Sequence, residues 1–136
     1  MTNTATETLS LVVEREIPFP PDKIWRALTQ PHLIEEWLMK NDFQPVVGHT
    51  FSFRADWGAV DCQVLTVEPS KTLSYTWAAF GLESVVTWTL ATTRTGTLLR
   101  LEQSGFRSDQ KQAYGGAKGG WQQFFAKLEQ VLARTD

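Results

Sequence analysis

The sequence predicts an α+β fold in which an antiparallel sheet is covered on its apolar face by one long helix near the C-terminus. Three observations lead to this prediction. Segments with strand-like alternation fill the middle of the chain, and the links between them are only a few residues long. A single segment is long and periodic enough to form the covering helix. The length of 136 residues favours one domain.

The first strand is predicted at residues 9–17, LSLVVEREI, because apolar and polar residues alternate along it. Its more apolar face carries Leu9, Leu11, Val13, Arg15 and Ile17. The polar segment before it, residues 1–8, is expected to be a flexible tail, and residues 9–136 are expected to form the domain.

Two short helices are predicted next, because the periodicity changes in PFPPDKIWRALTQP. Pro21 suits the first turn of a helix, and Asp22 favours its positive end. This helix should stop before Pro31. The second helix is predicted to begin there, in HLIEEWLM, and to bury Leu33 and Trp37 or their neighbours.

Five more strands and one long helix complete the predicted order. The strands are expected at residues 49–55, 59–69, 72–78, 83–92 and 97–105, with turn residues between them. Together with the first strand they give a curved sheet of about six strands. The last element is predicted to be a helix from near Ser108, a good N-cap residue, to about Ala133.

The segment GGAKGG, residues 115–120, places four glycines inside this last helix. Each glycine costs a helix interior about 1 kcal/mol relative to alanine. At 3.6 residues per turn, one stripe of the helix carries small side chains first and large ones later. It contains Ala113, Ala117, Gly120, Phe124, Leu128 and Val131. The helix is therefore predicted to fill the core with its second half and to leave room beneath its first half.

Strand residues that would face this room suggest a small-molecule pocket with apolar and aromatic walls. The candidate ligand-binding residues are Arg15, Phe51, Phe53, Tyr75, Trp77, Val86, Trp88, Leu101, Gln103, Ala117, Gly120, Trp121 and Phe124. Arg15 and Gln103 are the candidate polar anchors, since an inward-facing charge must be paired or must meet a polar ligand group. Two alternatives stay open. The small residues can instead permit close packing of helix on sheet with no cavity, and Arg15 can form a structural ion pair.

The sequence gives little sign of catalysis, so no catalytic residue, metal ligand or cofactor is assigned. His32 is expected in solvent, and His49 has no carboxylate or cysteine at a metal-ligand spacing. Glu35 and Glu36 are adjacent on a helix and do not face each other. Cys62 lies at an apolar position of a predicted strand, which is typical of a small buried side chain.

The overall composition narrows the class of protein further. A net charge of −2 argues against nucleic acid or an anionic membrane as a partner. The single cysteine excludes an internal disulfide. No apolar run approaches the about 20 residues that span a bilayer, and the N-terminal segment lacks the features of a signal peptide. A cytoplasmic protein, monomeric or homodimeric, is expected.

The ordered set of segments resembles the AHSA-like family, relatives of the activator of a heat-shock chaperone ATPase within the START-like or SRPBCC superfamily. The resemblance rests on PPDKIWRALTQPHLIEEW, VLTVEPSKTLSYTW, VTWTLATTRTGTLLRLEQSGF and the closing GGWQQFFAKLEQVL after Tyr114. It implies the helix-grip fold, a curved antiparallel sheet around a long C-terminal helix with two short helices after the first strand. In that superfamily the space between sheet and helix commonly holds a hydrophobic ligand.

The preferred hypothesis is therefore a binding protein for a small hydrophobic molecule, which is lipid-like, polyketide-like or aromatic. One alternative is a stress-response module that regulates a chaperone or binds another protein. Chaperone activators of this kind carry a further N-terminal domain, for which 136 residues leave no room. A second alternative is an enzyme of the aromatase or cyclase type, although the sequence offers no convincing acid or base for it.

Overall fold

The computed structural model describes residues 8–135 as one antiparallel sheet with three helices. The strands are β1 (Thr8–Ile17), β2 (Lys40–Asn41), β3 (Thr50–Ala55), β4 (Gly58–Glu68), β5 (Thr72–Ala79), β6 (Leu82–Thr92) and β7 (Thr97–Arg107). The helices are α1 (Pro21–Thr29), α2 (Pro31–Trp37) and α3 (Lys111–Arg134). The strand order is β1-β7-β6-β5-β4-β3-β2. The predicted α+β helix-grip fold is confirmed.

The two short helices form where the sequence predicts them, and one hydrogen bond joins them. Pro21 is the first residue of α1, and α1 ends before Pro31, the first residue of α2. The buried residues of α2 are Ile34 and Trp37. The Trp37 indole Nε1 donates a hydrogen bond of 2.8 Å to the Ala27 carbonyl in α1, so the angle between the helices is held from inside the core.

The sheet has one strand more than predicted. Residues Lys40 and Asn41 pair with Arg54 and Phe53 of β3 and form β2 at the edge of the sheet. A strand of two residues shows no alternation, so its sequence gives no signal. The other strands agree with the predicted segments to within two residues at each end.

Three local expectations are corrected at the ends of elements. Thr8, assigned to the tail, is the first residue of β1 and pairs with Arg107, while residues 1–7 lie outside the described part of the chain. Leu9 is exposed near that end of the strand. Ser108 is not the N-cap of α3, because β7 runs on to Arg107 and the helix begins later, with Gln110 at the N-cap position.

The second half of α3, taken here as Trp121 to Arg134, packs on the sheet and closes the core. Its buried residues are Trp121, Phe125, Leu128, Val131 and Leu132. They meet Trp88, a fully buried residue of β6, whose ring centroid lies 5.6 Å from those of Trp121 and Phe125 and 5.7 Å from that of Trp37. Trp88 therefore joins the sheet, α2 and α3 in one aromatic cluster.

The first half of α3, residues 111–120, is not packed into the core. No residue from 111 to 120 is buried, although the helix runs without a break through all four glycines. Two side chains tie this half to its surroundings. The Tyr114 hydroxyl donates a hydrogen bond to the Ser10 carbonyl, and its ring packs edge-on against Phe106. Gln110 donates to the Gly81 carbonyl in the turn between β5 and β6.

Gly105 occupies a position in β7 where the backbone of β6 leaves no room for a side chain. It lies in β7 at a register shift opposite Leu9 and Ser10, with φ of +111°. A Cβ there would lie 2.7 Å from the Glu83 carbonyl oxygen. We expect Gly105→Ala to lower the free energy of unfolding by about 1–3 kcal/mol, measured by urea denaturation followed by circular dichroism.

Gly119→Ala is the matched control, because a Cβ at Gly119 meets no atom within 4 Å and the residue is helical. This variant should gain about 0.5–1 kcal/mol of stability. If Gly105→Ala were as stable as the unmodified protein, the positive φ and the close approach of Glu83 would not restrict this position to glycine.

Candidate functional site

A groove of about 670 Å³ lies between the sheet and the first half of α3. Binding sites for small molecules usually have volumes of about 300–1,000 Å³. The sheet side of the groove is formed by Val60, Trp77, Ala79, Leu82 and Gln103, and its mouth by Trp57 and Phe80. The helix side is formed by Gln110, Gln112, Ala113, Gly116, Ala117, Gly120, Trp121 and Phe124.

The glycines of α3 face open space. A Cβ added to Gly116 or Gly120 would have no neighbouring atom within 4 Å outside its own helix turn. At Gly116 and Gly120 the helix therefore does not touch the sheet, whereas Ala117 of the same stripe packs against the core. The two glycines widen the groove, because a larger side chain at either position would project into it.

A hydrogen-bond chain crosses the floor of the groove. The Trp121 indole Nε1 donates to Gln103 Oε1 at 2.7 Å, and Gln103 Nε2 donates to Ser84 Oγ at 2.9 Å. The Ser84 hydroxyl in turn donates to the Trp77 carbonyl at 2.9 Å. Because an indole N–H is only a donor, it fixes which end of the Gln103 amide is the oxygen. The chain links α3 to β7, β6 and β5.

Two exposed aromatic rings stand at the mouth of the groove. Trp57 follows β3 and Phe80 follows β5, and their ring centroids are 5.8 Å apart. Trp57 is 54% and Phe80 is 81% exposed. The backbone of Phe80 has φ of +51°, which is unfavourable for a bulky residue. The turn therefore keeps a large apolar ring in solvent beside the groove, and exposed apolar patches of this kind often mark binding surfaces.

Six of the predicted ligand-binding residues meet at the groove. They are Trp77, Gln103, Ala117, Gly120, Trp121 and Phe124. Phe124 is half-buried there, whereas the adjacent Phe125 fills the core.

Six other predicted residues lie in the packed core and do not line the groove. These are Phe51, Phe53, Tyr75, Val86, Trp88 and Leu101. Alternation assigns them to the correct face of the sheet, but other core side chains cover them. Tyr75 illustrates this, because its hydroxyl accepts a hydrogen bond of 3.0 Å from the Trp88 indole, and burial raises the pKa of its phenol above the ordinary range.

Arg15 is placed away from the groove, in an ion pair. Its Nη1 lies 2.6 Å from Glu129 Oε2, and its Nη2 donates to Gln122 Oε1 at 2.9 Å. The guanidinium also lies 5.6 Å from the centre of the Phe125 ring. Of the two interpretations of Arg15, a ligand anchor or a structural ion pair, the structure shows the ion pair, because Arg15 lies beneath the second half of α3 and not the first.

Several residues of the groove are not among those predicted from the sequence. These are Trp57, Val60, Ala79, Phe80, Leu82, Gln110, Gln112, Ala113 and Gly116. A signal existed for the two mouth residues, because each large aromatic directly precedes a glycine in a turn, at Trp57-Gly58 and Phe80-Gly81. Aromatic side chains in exposed turns are rarely needed for the core.

The reactive and ionisable residues considered from the sequence lie outside the groove. His32 is exposed, and His49 contacts the Asp42 carbonyl at 3.0 Å. Cys62 is buried as predicted, and that burial, with the nearby charge of Asp61 adding to it, raises the pKa of its thiol. Between residues 8 and 135, no group of three or more His, Cys, Asp or Glu residues is arranged to hold a metal ion. Within the same residues, no helix has the length and apolar character needed to cross a membrane.

The family model described as "Activator of Hsp90 ATPase homolog 1-like protein" matches residues 18–133. The chain belongs to this family, AHSA1. The resemblance to AHSA-like proteins is thus confirmed over most of the chain, and so is the helix-grip fold that it implies.

Solved structures show how widely this AHSA1 fold is shared. Protein MLL2253 from Mesorhizobium loti is 67% identical, with 94% of this chain and 99% of that chain covered and a TM-score of 0.92. DynU16, a protein of the dynemicin biosynthetic locus, is 25% identical over 92% of this chain, with a TM-score of 0.84. The match covers 47% of DynU16, so the chain spans about half of its length.

The Aha1 dimer from Colwellia psychrerythraea is 23% identical, with 91% of this chain and 96% of that chain covered and a TM-score of 0.83, which shows a common fold. Among curated proteins, no sequence matches this AHSA1 chain.

The Arg15–Glu129 pair is expected to contribute modestly to stability, because both side chains are about one third exposed. A double-mutant cycle with Arg15→Met and Glu129→Gln should give a coupling energy of about 0.2–1 kcal/mol that falls at high salt. Urea denaturation measures it. A coupling energy of zero would show that the ion pair adds nothing to the fold.

Cys62 is expected to be unreactive in the folded protein, since the thiolate is the reacting form and burial disfavours it. At pH 8 the native protein should react with Ellman's reagent at least about 100-fold more slowly than the urea-unfolded chain. Cys62→Ala provides the blank. Equal rates for native and unfolded protein would contradict this burial.

Proposed function

We propose that this AHSA1 protein binds a small, mainly apolar molecule in the groove between the sheet and the first half of α3. The observation that carries the proposal is the groove of about 670 Å³, which has aromatic rings in its walls and Gly116 and Gly120 on its helix side. A helix keeps glycines at a cost in stability, and here the gain is volume in front of aromatic walls.

The walls suit a flat apolar ligand of about two rings. The Trp77 and Trp121 ring centroids are 5.2 Å apart, and those of Trp121 and Phe124 are 5.5 Å apart. A ligand that buries roughly 200 Å² of apolar surface gains about 5 kcal/mol. The translational and rotational freedom that the ligand loses on binding offsets part of this gain, and ring–ring contacts add to it. A larger ligand that also covers Trp57 and Phe80 would bind more tightly.

The ligand class within this proposal is lipid-like, polyketide-like or aromatic. DynU16, a protein of the dynemicin biosynthetic locus, shares the fold, and this supports a ligand that takes part in biosynthesis. Likeness to the Aha1 dimer extends to the fold alone, so a chaperone-regulating role has less support than ligand binding.

An enzyme of the aromatase or cyclase type would need a proton donor or acceptor at the groove. The groove residues in the described part of the chain offer three carboxamides and no ionisable side chain. Binding is therefore the function proposed.

The six tryptophans allow a direct test by NMR of their indole N–H groups. Titration with 2-naphthol should shift the signals of Trp57, Trp77 and Trp121, which line the groove, and leave that of Trp25 in α1 unchanged. We expect Gly120→Leu to weaken binding at least about 10-fold, because leucine fills part of the groove.

Gly119→Leu is the matched control. Gly119 neighbours Gly120 in the same helix and has equal space around its Cα, but it does not line the groove. Its substitution should leave the affinity unchanged. Equal loss of binding in both variants, or shifts spread over all six indoles, would contradict a site in the groove.

A further inference from the structure

We infer that the groove selects an uncharged ligand bearing a hydroxyl or carbonyl group, and that the buried carboxamide of Gln103 is the residue that recognises this group. The inference rests on the proposed function and specifies the chemistry of its ligand. It separates neutral aromatic molecules from fatty acids and other carboxylates, which are equally apolar over most of their surface.

The described lining of the groove carries no charged side chain. Charged residues make up 21% of the chain, so about three would be expected among fifteen lining residues. Within the described part of the chain the lining contains no Asp, Glu, Lys, Arg or His. A carboxylate placed there would lose water without gaining a cationic partner, which is strongly unfavourable.

Arg107, near the mouth, does not change this balance. It is absent from the lining, and its Nε lies 3.2 Å from Asp109 Oδ1, while its Nη1 is bound to the Gly81 carbonyl at 3.4 Å. In this structure the guanidinium is thus paired with a carboxylate and does not point into the groove lining.

The carboxamide of Gln103 has hydrogen-bonding capacity that its two bonds within the protein do not use. A carboxamide offers two N–H donors and two acceptor lone pairs. Trp121 occupies one lone pair and Ser84 receives one N–H, which leaves one donor and one acceptor. The side chain is 1% exposed and belongs to the groove wall, so its amide lies where bulk water is largely excluded.

The amide of Gln103 is also held in place before a ligand arrives. Trp121 can only donate, and the Ser84 proton is directed to the Trp77 carbonyl, so Gln103 cannot turn over without breaking both bonds. A preorganised donor and acceptor binds more tightly than a mobile one. Either a carbonyl, which accepts, or a hydroxyl, which does both, fits this pair.

The other two glutamines of the lining are less suitable for recognition. Gln110 also accepts one hydrogen bond, from the Arg107 backbone N–H at 2.9 Å, and donates one to Gly81, but it is only half-buried, so water competes for its remaining groups. Gln112 is exposed, so its hydrogen bonds to water compete with those to a ligand.

Three probes of nearly the same shape test the inference: naphthalene, 2-naphthol and 2-naphthoate at pH 7, where the naphthol is neutral and the naphthoate is an anion. The indole N–H titration gives each dissociation constant. We expect 2-naphthol to bind about 3–10-fold more tightly than naphthalene. It should bind at least about 10-fold more tightly than 2-naphthoate.

The Gln103→Met variant should remove the advantage of 2-naphthol over naphthalene, because methionine keeps the length of the side chain without the amide. Gln123→Met is the matched control, because Gln123 is an exposed glutamine of α3 that does not line the groove, and it should keep the preference. Should Gln103→Met fail to fold, the side-chain N–H signals of Gln103 in the unmodified protein test its role. They should shift on titration with 2-naphthol more than with naphthalene, and equal shifts with both would refute the role of Gln103.

The outcomes separate the two proposals. If no probe binds, the proposed function and the inference both fail. If the probes bind equally, or if 2-naphthoate binds most tightly, the groove is a binding site but the inference is overturned. If the preference for 2-naphthol survives in folded Gln103→Met, the role of Gln103 is refuted.

Discussion

The contact between Trp88 and the second half of α3 determines where the other parts of the molecule lie. Trp88 is fully buried and touches Trp37, Trp121 and Phe125, so one ring sets the distance from the sheet to two helices. Protein interiors are packed as densely as organic crystals, and a helix docked in this way has little freedom to slide. With its second half fixed, the first half of α3 has to project over the remaining part of the sheet.

This arrangement explains how α3 can contain the glycines of residues 115–120 and still be stable. They weaken the helix locally, but the helix does not depend on its first half for stability, because its large apolar residues lie after Gly120. Gln110 and Tyr114 then hold the weaker half at a set height above the sheet. Local preference and fold disagree at this point, and such disagreements tend to occur where function requires them.

Much of this architecture is available from the sequence, because alternation and helical period are local signals. They correctly place the two short helices, all strands but one, and the change from small to large residues along α3. They also bring Trp77, Gln103 and Gly120 to one region. The two-residue strand β2 escapes detection because periodicity needs a longer segment.

What the sequence does not supply is the exact position at which α3 docks. Residues on one face of a strand share their orientation, but only docking decides which of them lie under the packed half of the helix. Tyr75 and Trp77 are two residues apart in β5, yet the first is buried in the core and the second lines the groove. Arg15 and Glu129 are 114 positions apart, so no local pattern could reveal that they pair.

The division of α3 into two halves also bears on how such a protein changes over evolutionary time. Side chains that secure the fold and side chains that shape the groove largely occupy different turns of the same helix. Mutations at the open end are therefore expected to carry a small thermodynamic penalty, so the residues that line the groove can change while the fold is kept. A single scaffold can in this way serve descendants with unrelated ligands.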